Sequence, residues 1–183
     1  MALLPLIKYG NPILRKKTNP VEDFNIQKLI DDMFETMYHE KGIGLAANQV
    51  GENLSILVFD IGDYDHSNSD IFSKDIQGPQ VFINPEVIEE IGKCSMEEGC
   101  LSVPDIRAEI VRPESITLRY QNINKEWKNK SFSGLEARVL LHEIDHLNGK
   151  IFTDYLSPTK RTLINKRLLE IAKNGQPSTG IIV

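Results

Sequence analysis

The stretch SGLEARVLLHEIDHLNG, residues 133–149, decides both the fold and the chemistry that we expect of this sequence. It is a mostly apolar segment with residues typical of the start and the end of a helix. Ser133 and Glu136 have the spacing of a capping box, in which each side chain bonds the other residue's free backbone amide. Gly149 is a typical residue just beyond a helix end. We therefore predict one helix from Ser133 to about Asn148.

Two histidines on this helix indicate a metal site. His142 and His146 are four residues apart, so both imidazoles point in the same direction and can hold one ion. Glu143 follows the first histidine and can accept a proton from a water molecule that the ion activates. A helix that merely contains two histidines is the alternative, but it does not account for the glutamate between them.

A catalytic ion needs a third protein ligand, which must come from another part of the chain. The longer metalloprotease pattern would place a histidine at position 152, which is Phe152. Glu170 would complete a zinc endopeptidase, although an ordinary ion pair explains it within a helix rich in Lys and Arg. Cys100, in the segment EGCLS (98–102), offers a thiolate, which binds zinc or ferrous iron well. A small buried thiol is the alternative interpretation of this cysteine.

The whole chain has the composition of an ordinary globular protein. It has 183 residues, 40% hydrophobic and 26% charged, and a net charge of −5, which argues against disordered and fibrous classes and against a strongly basic nucleic-acid binder. No apolar run has the length of a membrane span, and we identify no signal peptide. Two cysteines are too few for a disulfide scaffold. We expect one cytoplasmic catalytic domain over 1–183, with no DNA or membrane partner.

Periodicity predicts an α+β fold: antiparallel sheets packed around a central metal-binding helix, with an N-terminal and a C-terminal helix. A helix should begin at Ile26, with Asn25 as its cap, and stop at Gly42. The last helix should run from Ser157 to about Lys173. The remaining predicted elements are a glycine-rich loop (42–51), a strand (54–61), a polar surface loop (62–79), two short strands (81–84 and 86–91) and an antiparallel meander (106–132).

Three motifs, in this order, resemble those of the peptide deformylase family. They are GIGLAANQ (42–49), EGCLS (98–102) and HEIDH (142–146), and together with flanking segments they extend the resemblance over almost the whole chain. Leu141 departs from the pattern, because the family usually has glutamine there. The 62–79 loop is longer and more acidic than in compact members.

The resemblance implies a metal-dependent hydrolase that removes the N-formyl group from the initiator methionine of newly made polypeptides and releases formate. It implies that Cys100, His142 and His146 bind one divalent ion, often ferrous iron in vivo, with zinc, nickel or cobalt able to substitute. Glu143 is then the general base. By the same resemblance, the side-chain amide of Gln49 and the backbone N–H of Leu101 stabilise the oxyanion.

The selectivity for a formyl group and for methionine should reside in small and apolar residues around the ion. Gly44 and its neighbouring backbone could crowd the site enough to exclude larger acyl groups. Leu135 and Val139 share the helix stripe of His142 and would form an apolar floor, with Ile43 and Leu101 as walls. The same apolar residues could equally be core.

Charged residues beside these motifs have two interpretations each. Glu98, grouped with the substrate-binding residues, could orient a ligand or form a structural salt bridge. For Arg107 and Arg112 we predict a solvated face. The last helix carries the basic residues Lys160, Arg161, Lys166, Arg167 and Lys173, which could contact the ribosome where nascent chains emerge or simply be solvated.

Two alternatives to a deformylase stay open at this point. One is a zinc endopeptidase of the HExxH type that uses Glu170. The other is a binding module pinned by a structural metal, which would need a fourth protein ligand that the sequence does not offer.

Overall fold

Two antiparallel sheets and three α-helices make up the fold in the computed structural model, which describes residues 2–62 and 78–174. The predicted polar loop (62–79) lies almost entirely outside the described residues. The elements are α1 (Gln27–His39), β1 (Gly44–Ala46), β2 (Ile56–Phe59), β3 (Gln80–Ile91), β4 (Cys94–Cys100), β5 (Val103–Arg112), β6 (Ser115–Gln121), β7 (Trp127–Ser133), α2 (Gly134–Leu147) and α3 (Pro158–Asn174).

A five-stranded sheet, in the order β1-β2-β3-β6-β7, separates two of the helices. All four residues of β2 are buried, because the strand is covered on both faces. Leu57 and Phe59 pack in the core that contains α2, whereas Ile56 and Val58 pack in the core that contains α1. The helix α2 is therefore a buried central element, as the sequence predicted.

The second sheet is a hairpin of β4 and β5, and it forms a third core with α3. The prediction of one meander that joins the residues of β5 with those of β6 and β7 is wrong in one respect. Only β6 and β7 pair in that way, and β5 pairs instead with β4, which the sequence did not predict. The α+β class is nevertheless confirmed.

Three local predictions were wrong. Ile26, not Asn25, occupies the N-cap position of α1, and its side chain makes no cap hydrogen bond. Ser133 occupies the N-cap position of α2, but its side chain makes no cap hydrogen bond, so the capping box does not form there. The two short strands predicted around Asn84 are one strand, β3, which continues through an irregularity where Asn84 has a φ of 51°.

The helix α2 ends where the glycine rule predicts. Gly149 has a φ of 73°, and a Cβ atom there would lie 2.6 Å from the backbone oxygen of Arg15. Both the left-handed backbone and this close approach require glycine. Among the described residues, none of the helices is long and apolar enough to span a bilayer.

Candidate active site

Three ligand atoms from two distant segments converge in the interior. Cys100 ends β4, and His142 and His146 lie one turn apart on α2. Their ligand atoms lie within 4.8 Å of one another, and all three residues are buried. The Cys100 Sγ atom is 3.1 Å from His146 Nε2. A thiolate and two imidazoles gathered in this way would be able to hold one divalent ion.

The electrostatics of the two imidazoles fit a cation between them. Burial lowers the pKa of His146 well below its ordinary value, which keeps this ring neutral as a metal ligand must be. Burial also lowers the pKa of His142, but hydrogen bonds with Cys100 and Glu98 outweigh it and raise that pKa. The negative surroundings that hold a proton on His142 attract a metal cation equally. The donor set therefore fits one divalent ion.

Glu98 fixes the orientation of one of these rings from behind. It accepts a hydrogen bond from His142 Nδ1 at 3.0 Å, so the Nε2 atom faces Cys100. Arg112 and Arg138 also donate to this buried carboxylate. Although burial opposes ionisation, the bonds with His142 and Arg112 hold the pKa of Glu98 well below its usual range. This geometry favours the orienting role over direct contact with substrate, and it contains the structural salt bridge as well.

Two features around Glu98 were not predicted. Arg112 is not on a solvated face: it is 4% exposed, bonds Glu98, and also pairs with Asp145. The sequence held the signal, since positions 106, 108, 110 and 112 alternate in phase and share one face of β5. Arg138 was missed altogether. It donates to Glu98, to the Ile110 carbonyl and to the Cys94 carbonyl, and nothing in its local sequence reveals these partners.

We expect Glu98→Gln to lower the free energy of unfolding by about 3–5 kcal/mol, because it removes the charge that two buried arginines face. The measurement is urea-induced unfolding followed by circular dichroism. Glu97→Gln, one residue earlier, is the matched control: Glu97 is 63% exposed in its pair with Arg107, so its loss should cost about 0–1 kcal/mol. Equal effects of the two substitutions would contradict the buried-cluster interpretation.

Glu143 is poised to exchange a proton. Its Oε2 atom is buried and has no hydrogen-bond partner among the described residues. Burial raises the pKa of Glu143 to about 7, even though the charge on His142 opposes this. A carboxyl group in that range can both take and return a proton near neutral pH.

Gly44 lies directly against this carboxylate. A Cβ atom at Gly44 would lie 2.8 Å from Glu143 Oε1 and 2.7 Å from Val139 Cγ1. The absence of a side chain at Gly44 therefore leaves a narrow space beside the Glu143 carboxylate.

We expect Gly44→Ala to reduce kcat/KM about 100-fold while the ion is retained, because the new methyl group would displace the Glu143 carboxylate. Steady-state kinetics and elemental analysis of the same sample give the two readouts. Adding Val139→Ala should not restore the rate, since it relieves only the other close contact. Wild-type kinetics of Gly44→Ala alone would contradict this account.

Gln49 lies beside Cys100 and Ser102. Its Oε1 atom accepts a hydrogen bond from Ala46 N at 2.8 Å, which fixes the amide orientation. Its Nε2 atom lies 3.7 Å from Cys100 Sγ and 3.2 Å from Ser102 Oγ. Leu101 follows Cys100 directly in the chain. The two expected oxyanion donors are thus both brought to the ligand cluster.

Three of the four apolar residues expected around the ion are brought together in one core. Ile43 and Leu135 are partly buried and pack against the core cluster that contains Val139, whereas Leu101 packs against the core next to α1. Leu141, which replaces the glutamine usual in the family that the motifs resemble, is 7% exposed and belongs to the same cluster as Val139.

Glu170, the third metal ligand in the endopeptidase alternative, does not lie in the candidate site. Glu170 lies on α3 and pairs with Arg167 at 3.3 Å. Among residues 2–62 and 78–174, the only group of metal-ligating side chains with suitable spacing is Cys100, His142 and His146.

A family model, curated relatives and a solved structure all indicate the same protein family for this chain. The family model described as Polypeptide deformylase matches residues 3–162. Peptide deformylase 2 of Xanthomonas campestris pv. campestris is 42% identical over 179 residues, which cover 95% of this chain and 99% of that protein. Peptide deformylase of Mesorhizobium japonicum is 43% identical over 180 residues, 97% of each chain. The crystal structure of a peptide deformylase from Legionella pneumophila superposes with a TM-score of 0.81 at 38% identity, covering 94% of this chain and 96% of that one.

Proposed function

Because the chain belongs to the polypeptide deformylase family, we propose that Cys100, His142 and His146 hold its divalent ion and that Glu143 is its general base. The family carries out the metal-dependent removal of the N-formyl group from N-formylmethionyl peptides, and this is the reaction of the chain. One observation carries the residue assignment: a buried cluster of one thiol and two imidazoles beside a buried carboxylate without a partner among the described residues.

The residues of the chain then divide the hydrolysis among themselves. Cys100, His142 and His146 would hold the divalent ion, which would supply Lewis-acid activation and lower the pKa of a water molecule to about 7. Glu143 takes a proton from the attacking water as the oxygen of that water bonds to the formyl carbon. The amide C–N bond then breaks, Glu143 returns the proton to the departing amine, and formate and a free N-terminal methionine are the products.

Two donors are proposed to stabilise the negative charge that develops on the formyl oxygen. They are the Gln49 side-chain amide and the Leu101 backbone N–H. The fixed amide of Gln49, held through Ala46, supports this role because an oxyanion donor must not reorganise during the reaction.

Substrate selection is proposed to come from space rather than from charge. Gly44 leaves only a narrow gap beside Glu143 and Val139, which suits a formyl hydrogen better than the methyl group of an acetyl substrate. Ile43, Leu135 and Val139 offer an apolar surface for the methionine side chain.

Ferrous iron is the ion that we propose for the enzyme in the cell, with zinc, nickel or cobalt able to replace it. The thiolate and two imidazoles suit all four ions. Elemental analysis of anaerobically purified protein would identify the ion. Activity that oxygen destroys in this form, but not in a nickel-loaded form, would support iron with a vulnerable thiolate.

A formate assay tests the function as a whole. The protein should release formate from formyl-Met-Ala-Ser and should not cleave casein. Absence of formate release, or cleavage of casein, would overturn the proposal and favour the endopeptidase alternative.

We further propose that residues 1–183 form one catalytic domain that acts in the cytoplasm on nascent N-formylmethionyl peptides. The family match over residues 3–162 supports the single domain. Contact of α3 with the ribosome stays a prediction. One of its basic residues, Arg167, already forms ion pairs with Asp105 and Glu170 within the chain, which weakens the case for this contact. Unchanged ribosome co-sedimentation after charge reversal of Lys166 and Arg167 would end it.

A further inference from the structure

A short N-terminal segment, Ile7–Tyr9, joins the two loops that carry the expected oxyanion donors. The Ile7 backbone N donates to the Gln49 carbonyl at 2.7 Å. The Tyr9 backbone N donates to the Ser102 carbonyl at 2.8 Å. This segment, which we call the strap, is thus hydrogen-bonded to both sides of the candidate oxyanion site.

The central residue of the strap is a buried lysine. Lys8 is 4% exposed, and its Nζ atom donates to the Leu101 carbonyl at 2.9 Å. Within the described parts of the chain, this ammonium group forms no ion pair with a carboxylate. Its hydrogen-bonding partner is therefore a neutral carbonyl of the residue whose N–H is proposed to bind the oxyanion.

An ammonium group in this position is costly for the fold. Burial lowers the pKa of Lys8, although the charges of Glu40, Cys100 and Asp105 oppose that effect. A methionine would fill the same space without the cost of removing a charge from water. Packing alone therefore does not explain why a lysine occupies this position.

Resting on the function proposed above, we propose that Lys8 is a positioning residue for the deformylation reaction. Its ammonium group fixes the Leu101 carbonyl, and this holds the Cys100–Ser102 backbone so that the Leu101 N–H points at the formyl oxygen. Lys8 does not touch the substrate in this account and acts only through the loop.

Three variants test the proposal on the holoenzyme with formyl-Met-Ala-Ser. Lys8→Met removes the donor and the charge at similar volume, Lys8→Arg keeps both, and Lys16→Met removes one exposed lysine nearby as the matched control. The readouts are kcat and KM for formate release, the melting temperature, and the ion content after dialysis against a chelator.

We expect Lys8→Met to lower kcat about 10- to 100-fold, the usual effect of losing a partner behind a reactive group. KM should change less than twofold, and the melting temperature should stay within about 3 °C, which corresponds to about 1 kcal/mol in a chain of this size. Lys8→Arg should recover most of kcat, and Lys16→Met should behave as wild type. This combination separates positioning from a purely structural role, which would lower stability together with rate.

Several results would overturn the proposal. For Lys8→Met, these results are a wild-type kcat, failure to fold, or a loss of kcat that accompanies a large fall in melting temperature or ion content. For Lys8→Arg, the result is failure to recover kcat. For Lys16→Met, it is a loss of kcat equal to that of Lys8→Met. If the wild-type protein releases no formate, the proposed function itself fails, and that outcome is distinct from an active wild type with an equally active Lys8→Met.

Discussion

Cys100→Ala is expected to give a folded protein that no longer retains a divalent ion. Two imidazoles from one helix turn remain, and a catalytic ion requires three protein ligands. The substitution also removes the ligand with the highest preference for zinc and ferrous iron. Formate release should therefore fall to background. Elemental analysis after dialysis against a chelator measures retention, and circular dichroism checks the fold.

Cys94→Ala is the matched control, since it removes the other thiol of the same β4 strand. Cys94 is partly exposed and lies outside the ligand cluster, with its Sγ atom near the Ser95 carbonyl. This variant should keep the ion and the activity. Stoichiometric ion in Cys100→Ala, or its loss in Cys94→Ala, would contradict the ligand assignment.

Glu143→Ala should show the opposite pattern, with the ion retained and the rate lost. The carboxylate is not among the three clustered ligands, so its removal leaves them in place. General acid–base catalysis of this kind contributes about 10²–10⁴-fold, and we expect a loss at least that large in kcat/KM. Glu143→Gln, which preserves the shape of the side chain, should be equally impaired because an amide cannot accept the proton.

Glu170→Gln completes this test, because the endopeptidase alternative makes Glu170 the third ligand. Since Glu170 pairs with Arg167 on α3, its variant should retain ion and activity. Near wild-type turnover in Glu143→Ala would exclude the general-base role. Ion loss in Glu170→Gln would reopen the alternative.

The parts of the molecule that follow from local patterns were predictable. The α2 helix, its end at Gly149 and the shared direction of His142 and His146 need only the helical repeat and the properties of glycine. Cys100 required elimination of other ligands and then the family resemblance. The α+β class followed from alternating and helical periodicities along the chain.

The parts that depend on partners far away in the chain were not predictable. Arg112 was assigned to the wrong face although its strand phase was readable, because a buried arginine makes sense only beside Glu98. Lys8 gave no signal, since its environment is built by loops from distant segments. The residues of β5 were assigned to the meander, whereas β5 pairs with β4. The alternation of apolar residues predicts a strand but does not determine which strand it pairs with.

The buried cluster around Glu98 has an evolutionary consequence. Glu98 and Asp145 supply two negative charges there, and Arg112 and Arg138 supply two positive charges. Neutral replacement of Glu98 leaves the charges of Arg112 and Arg138 in the interior without that partner. Substitutions at Glu98 should therefore coincide with substitutions at Arg112 or Arg138 when many homologous sequences are aligned.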